Sequence, residues 1–167
     1  MKKLSLLVVV ASMSLANIGY AAPASTSPKG LEIPIEKAAY KLTTDVAEGG
    51  YKIVGTEELK RWLDDGKKVT IISALPASAD KEFGVLPSTV SCTMPKEEKE
   101  LTQASRDSIL KAAGADKEKP IVIYCGYVAC GRSHLGAKIL VKNGYKNVYR
   151  YPGGIAAWQE MGYPVSK

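Results

Sequence analysis

Pro120-Ile-Val-Ile-Tyr-Cys-Gly-Tyr-Val-Ala-Cys-Gly-Arg-Ser-His134 is the stretch on which the reading of this chain turns. Its first five residues are an apolar run with no polar alternation, as expected of a central parallel strand covered on both faces. Arg132 to Lys142 follows as a helix, stopped by Asn143-Gly144. Between them lies a turn that holds Cys125 and Cys130, with Gly126 and Gly131 beside them. In parallel sheets the ligand site lies outside the carboxyl ends of the strands, which is where this turn falls. A thiol there faces backbone N–H groups and the positive end of a helix dipole. Arg132 adds a full positive charge close by. These conditions lower a thiol pKa, and the thiolate is the nucleophile. Cys125 is therefore the candidate nucleophile, against the plainer alternative of an inert core thiol.

Outward from this turn, the rest of the chain alternates short strands with helices. Thr56 caps an expected helix over Glu57 to Asp64, with Gly66 just past its end. Lys68-Val-Thr-Ile-Ile-Ser73 reads as a buried strand, followed by a loop from Pro76 to Pro87 and a short strand near Thr89 to Cys92. Lys96 to Ala113 reads as a polar helix ended by Gly114, Asn147 to Tyr151 as a last strand, and Ile155 to Met161 as a last short helix. Leu31 to Gly50, with its proline and Gly-Gly stop, is expected to be an extended arm laid on the domain. There is no internal repeat. This order implies an α/β fold, a mainly parallel sheet of about five strands with helices on both faces.

The N-terminus reads differently. Met1-Lys-Lys3 is a basic start, Leu4 to Leu15 is apolar apart from serines, and Gly19 and Ala21 are small. That order marks a secretory signal cleaved near Ala21, and the apolar run falls short of the roughly 20 residues a membrane span needs. The expected division is a signal peptide over 1–21, a linker and N-terminal arm over 22–50, and one domain over 51–167, exported to the periplasm and not membrane-embedded after cleavage. Losing Lys2 and Lys3 leaves 21 basic residues against 17 acidic ones, about +4, which draws small anions toward a cleft. The lysines are scattered without interleaved aromatics, so nucleic acid is not an expected partner. Three cysteines are an odd number in an exported chain, so at least one thiol is unpaired within it. They are too few for a disulfide scaffold, and 46% apolar residues permit a hydrophobic core instead.

Over Tyr51 to Lys167 the chain resembles the rhodanese-like sulfurtransferase family. Two segments carry the resemblance: the strand, Cys125, loop and Arg132-Ser133 helix start, and the tail Gly144-Tyr-Lys-Asn-Val-Tyr-Arg-Tyr-Pro-Gly-Gly-Ile-Ala-Ala-Trp-Gln-Glu-Met-Gly-Tyr-Pro-Val165. In the tail Ile155 and Trp158 are expected to be core residues. The resemblance implies that Cys125 takes sulfane sulfur from a small anionic donor such as thiosulfate, as a persulfide, and passes it to a thiophilic acceptor. Gly126, Tyr127, Val128, Ala129, Gly131, Arg132 and Ser133 would bind substrate, and no cofactor is implied. The loop resembles that of members whose longer loop holds a second cysteine, here Cys130, which is the candidate resolving or redox partner of Cys125. A thiol acceptor or redox protein is then the expected partner.

This sequence departs from the family pattern in three places. Arg132 lies seven residues after Cys125, where about five is usual. Ser73 and Leu75 stand where many members carry Asp-x-Arg, and Val85 stands where they carry a histidine. The second reading is therefore a non-catalytic redox or partner-binding module that uses Cys125 and Cys130. Cys92 pairing with Cys130 is a further arrangement of the thiols. A phosphatase-type loop closes with five residues between Cys and Arg so that the guanidinium meets the phosphate, whereas six intervene here. A metal site on Cys125, Cys130 and His134 would have three ligands on an irregular turn; His134 is expected to be solvent-exposed or bonded to backbone.

Overall fold

The computed structural model describes residues 32–167; the expected signal peptide over 1–21 and the linker that follows lie outside the described residues. In chain order the elements are α1 (Glu32–Gly49), β1 (Lys52–Ile53), α2 (Thr56–Asp64), β2 (Thr70–Ser73), α3 (Ala77–Phe83), β3 (Thr89–Ser91), α4 (Gln103–Ala113), β4 (Ile121–Tyr124), α5 (Arg132–Lys142), β5 (Val148–Tyr151) and α6 (Gly154–Glu160). The five strands form one sheet in the order β1-β5-β4-β2-β3, every pairing parallel. The α/β class and parallel sheet expected from the sequence are the ones found.

All four residues of β4 are buried, as a middle strand requires. Alternation along β5 shows how both faces are covered. Tyr149 packs edge-on against Trp62 of α2, with ring centroids 5.0 Å apart. Its neighbour Arg150 bonds instead to Asp45 of α1 and Ser133 of α5. Helices α1 and α4 both pack on α5 there. On the α2 side the fully buried Trp158 of α6 meets Tyr151 and Tyr163 edge-on and donates its indole N–H to the Pro164 carbonyl at 2.9 Å. Trp158 and Ile155 are core residues, as read from the tail.

Several elements differ from the sequence reading, each for a local reason. Residues 32–49 are an 18-residue helix rather than an extended arm. Pro34 sits in the first turn, where a missing N–H costs little, and Glu36-Lys-Ala-Ala-Tyr-Lys-Leu42 is a run dominated by good helix formers. Gly50, at φ 66°, ends it. Within the segment read as a loop from Pro76 to Pro87, α3 forms over seven residues, too few for a periodic signal. The polar helix expected from Lys96 is broken: a single 3-10 turn covers Glu98–Glu100, and the Thr102 side chain accepts the Ser105 N–H to start α4. Gly55, not Thr56, is the cap residue of α2, because the Thr56 hydroxyl is held 3.0 Å from the Tyr151 hydroxyl. Strand β1 has only two residues and went unread. Among the described residues no helix is long and apolar enough to cross a membrane.

Candidate active site

The register of the sheet places Ser73, Tyr124 and Tyr151 in one row at the strand ends, and Cys125 is the next residue beyond it. The loop that begins there is gripped at its base by α6. Ile155 N–H donates to the Cys125 carbonyl at 3.0 Å and Ala156 N–H to the Gly126 carbonyl at 3.1 Å. Gly154 makes this possible: it adopts φ 61°, and a Cβ there would stand 2.3 Å from the Cys125 carbonyl oxygen. The tail's paired glycines thus seat the loop.

Cys125 is 1% exposed. Its sulfur lies 3.1 Å from the Ser133 hydroxyl and 3.4 Å from the Cys130 carbonyl oxygen, which brings the two loop cysteines together. Ser133 receives a hydrogen bond from Arg150 Nε at 3.0 Å, so its own proton is free to point at Cys125. The Ser133 backbone N–H, at the start of α5, acts on the same sulfur. Arg150 is fully buried and ties the loop from beneath, donating through Nη2 to the carbonyls of Val128 and Cys130, each at 2.9 Å. Its Nη1 reaches Asp45 at 2.8 Å and Tyr51 Oη at 3.4 Å. The chain that orders the nucleophile therefore runs Asp45, Arg150, Ser133, Cys125.

The two loop thiols shift each other in opposite directions. Hydrogen bonding from Cys125 holds Cys130 at about 5 despite burial, helped by the Arg132 and Gly126 N–H groups and the Arg132 charge. Cys125 is pushed up by that same bond to Cys130 and then by burial, with Ser133 opposing both. Of the two thiols Cys130 is therefore the more acidic. Cys130 is the half-buried member of the pair and opens into a cleft of about 380 Å³ lined by Lys41, Lys96, Glu98, Tyr127 and His134. The opposite flank of the loop is an apolar hollow of about 340 Å³ formed by Leu75, Phe83, Tyr127, Ile155 and Ala156.

All the expected site residues fall on this loop or the first turn of α5. Tyr127 and Ala129 are exposed at its crest; Gly126, Val128, Gly131 and Arg132 are half-buried, and Ser133 is buried. The Arg132 guanidinium donates to the Met94 carbonyl, so it anchors the helix start while its charge acts on Cys130. His134 is neither exposed nor bonded to backbone: it is buried, with Nδ1 2.9 Å from Tyr51 Oη. Burial keeps its imidazole below the ordinary histidine range although Asp45 and Glu48 oppose this. All three cysteines are free thiols, and burial pushes Cys92 up. No cluster of three or more metal-ligating His, Cys, Asp or Glu side chains occurs among the described residues.

Sequence reasoning missed Asp45, Tyr51 and Arg150, and also Asp80. The Asp80 carboxylate accepts from Ser73 Oγ at 2.7 Å and Ser91 Oγ at 2.6 Å, so α3 supplies an acid at the sheet end where Ser73 replaces one. The available signal for Arg150 was a lone arginine between two tyrosines in the expected last strand. Removing the Ser133 hydroxyl should expose its role: Ser133→Ala is expected to slow persulfide formation about tenfold to a hundredfold, the worth of one hydrogen bond to a charged sulfur. The check is a pH–rate profile, in which the thiol limb moves to higher pH.

A family model described as the rhodanese-like domain matches residues 55–161. The rhodanese-like domain-containing protein 14, chloroplastic, of Arabidopsis thaliana is 37% identical over 65 residues, covering 32% of this chain and 29% of that one. The chain thus spans less than a third of that relative's length. The solution structure of a 30 kDa polysulfide-sulfur transferase homodimer from Wolinella succinogenes superposes with a TM-score of 0.57 at 21% identity, over 80% of this chain and 90% of that one. The crystal structure of a thiosulfate sulfurtransferase from Pseudomonas aeruginosa gives a TM-score of 0.57 at 18% identity, over 77% of this chain and 22% of that one. At these identities the two structures are likenesses of fold.

Proposed function

The chain belongs to the rhodanese-like domain family, and from that membership we propose that it is an exported sulfurtransferase in which Cys125 carries sulfane sulfur as a persulfide. The observation that carries the reading is the position of Cys125: it leaves the middle strand of a parallel sheet with the Ser133 hydroxyl 3.1 Å from its sulfur and the N–H groups that start α5 beside it. Those donors suit a thiolate or a persulfide anion better than a neutral thiol.

The donor is a small anion such as thiosulfate. As it approaches, the Cys125 proton moves to the Cys130 thiolate, and the Cys125 sulfur attacks the outer sulfur of thiosulfate. A new S–S bond forms on Cys125, the donor's own S–S bond breaks, and sulfite leaves with the electron pair. Among the cations near the cleft, Lys41 is matched by Asp45, and Lys138 by Glu48 and Glu98. Lys96 and Arg132 have no carboxylate partner among the described residues, and their charge favours an anionic donor. A thiophilic acceptor then takes the outer sulfur from Cys125.

Mass spectrometry of non-reduced peptides after a brief thiosulfate pulse tests this. The Cys125 peptide is expected to gain one sulfur, with one sulfite released. A chain that takes up no sulfur at any cysteine and releases no sulfite would overturn the assignment.

A further inference from the structure

The carrier in this loop does not stand alone. Its sulfur lies 3.4 Å from the carbonyl oxygen of a second cysteine on the same loop, Cys130, which is half-buried at the edge of the Lys41–Lys96 cleft. The Gly126 and Arg132 N–H groups and the Arg132 charge favour the thiolate form of Cys130. A persulfide formed on Cys125 therefore has an internal thiol against it before any acceptor arrives.

We propose that this pair gives the protein a second activity, reduction of the bound sulfane sulfur to hydrosulfide, with Cys130 attacking the inner sulfur of the Cys125 persulfide and closing a Cys125–Cys130 disulfide. The inference rests on the persulfide reading above and adds what becomes of the persulfide when no acceptor is present.

The step balances with the proton already in the pair. After sulfite has left, Cys125 carries the persulfide anion and Cys130 the thiol. The Cys130 proton passes to the outer sulfur, the Cys130 sulfur bonds to the inner sulfur, and the bond between inner and outer sulfur breaks. The outer sulfur departs with that electron pair as hydrosulfide. Each cysteine sulfur is oxidised by one electron, and the sulfane sulfur is reduced by two. An external dithiol returns the disulfide to two thiols for another cycle.

Cys130 has two sulfurs to choose from. Attack at the outer one would merely move the persulfide to Cys130 and expel Cys125 as a thiolate. Exchange is slower the more basic the leaving thiol, and burial makes Cys125 a poor leaving group. Attack at the inner sulfur expels hydrosulfide, a small and better-solvated anion. The cleft that meets Cys130 opens to solvent and is lined by Lys41 and Lys96, so the anion has an exit that does not pass the buried side of the loop. Arg150 holds the Val128 and Cys130 carbonyls, which fixes the turn that brings Cys130 back toward Cys125.

The test uses the full chain, reduced, desalted and kept anaerobic, with thiosulfate and no thiol acceptor. Sulfite, sulfide and the state of each cysteine peptide are measured. The wild type is expected to release one sulfide for each sulfite and to end with Cys125 joined to Cys130. Cys130→Ser is expected to load more slowly, release at least tenfold less sulfide per sulfite and keep the extra sulfur on Cys125; Cys130→Ala should do the same. A wild type that retains a stable Cys125 persulfide beside a free Cys130 thiol overturns this inference and leaves the sulfurtransferase reading standing. Release of neither sulfite nor sulfide overturns both.

Discussion

Cys125→Ser is expected to lower thiosulfate-dependent sulfur transfer by on the order of a thousandfold or more, the scale of loss when a covalent nucleophile is removed. Serine preserves the volume, the bond to the Cys130 carbonyl and the contact with Ser133, so the fold should survive. It cannot form a persulfide, because its oxygen does not accept sulfane sulfur reversibly. The Arg150, Ser133 and α6 contacts that seat the loop stay in place. The variant should therefore unfold within about 1 kcal/mol of the wild type, as a near-isosteric exchange does when its hydrogen bonds are kept. Steady-state transfer to a thiophile, alongside urea unfolding, separates the two effects. Near-wild-type transfer in this variant would remove Cys125 from the mechanism, whereas a large loss of stability would mean that the thiol is chiefly a packing group.

Arg150→Met should have the largest effect on stability, about 3–5 kcal/mol, the range for breaking a buried ion pair from one side. The arginine is fully buried, and its loss strands the Asp45 carboxylate, the Val128 and Cys130 carbonyls and the Ser133 hydroxyl at once. Replacing both charges, as Asp45→Leu with Arg150→Met, should cost less than the two single changes summed, because no charge is then left uncompensated. Urea unfolding of the four proteins completes the cycle. Acid provides a second check. Burial alone would raise the Asp45 pKa, but hydrogen bonds from Lys41 and Arg150 and nearby positive charge hold it below the ordinary carboxylate value. A carboxyl depressed in the folded state adds stability that is complete above its unfolded pKa, near 4, and is lost as pH falls through the folded value. Wild-type stability should thus decline below about pH 4, and Arg150→Met should show a shallower decline over the same range. Sulfur transfer should fall as well, since the variant loses the bond that orients the Ser133 hydroxyl toward Cys125.

Much of the frame was legible because its signals are local. The apolar run Ile121–Tyr124 and the Asn143-Gly144 stop depend on residues a few positions apart, and α5 begins and ends where the sequence places it. The same holds for the turn that carries Cys125, since a strand followed at once by glycines and a helix leaves the thiol at the carboxyl edge of the sheet. Even the error at α1 was local: a segment with a first-turn proline and a Gly-Gly stop was read as an extended arm.

The support around the thiol was decided by tertiary structure. Asp45 and Arg150 are 105 residues apart in sequence, and neither carries a mark that it will be buried. A charged residue on a helix or in a strand is by default a solvated one, and only the closing of α1 over α5 and β5 makes this pair a core element. The same limit hid Asp80, which reaches Ser73 and Ser91 from a helix too short to read. It also hid the division of labour between Cys125 and Cys130. Composition and spacing put two thiols on one helix-capping turn; which of them keeps the proton depends on hydrogen-bond directions and burial, and those exist only once the loop is folded against the Ser133 hydroxyl and the Arg150 guanidinium.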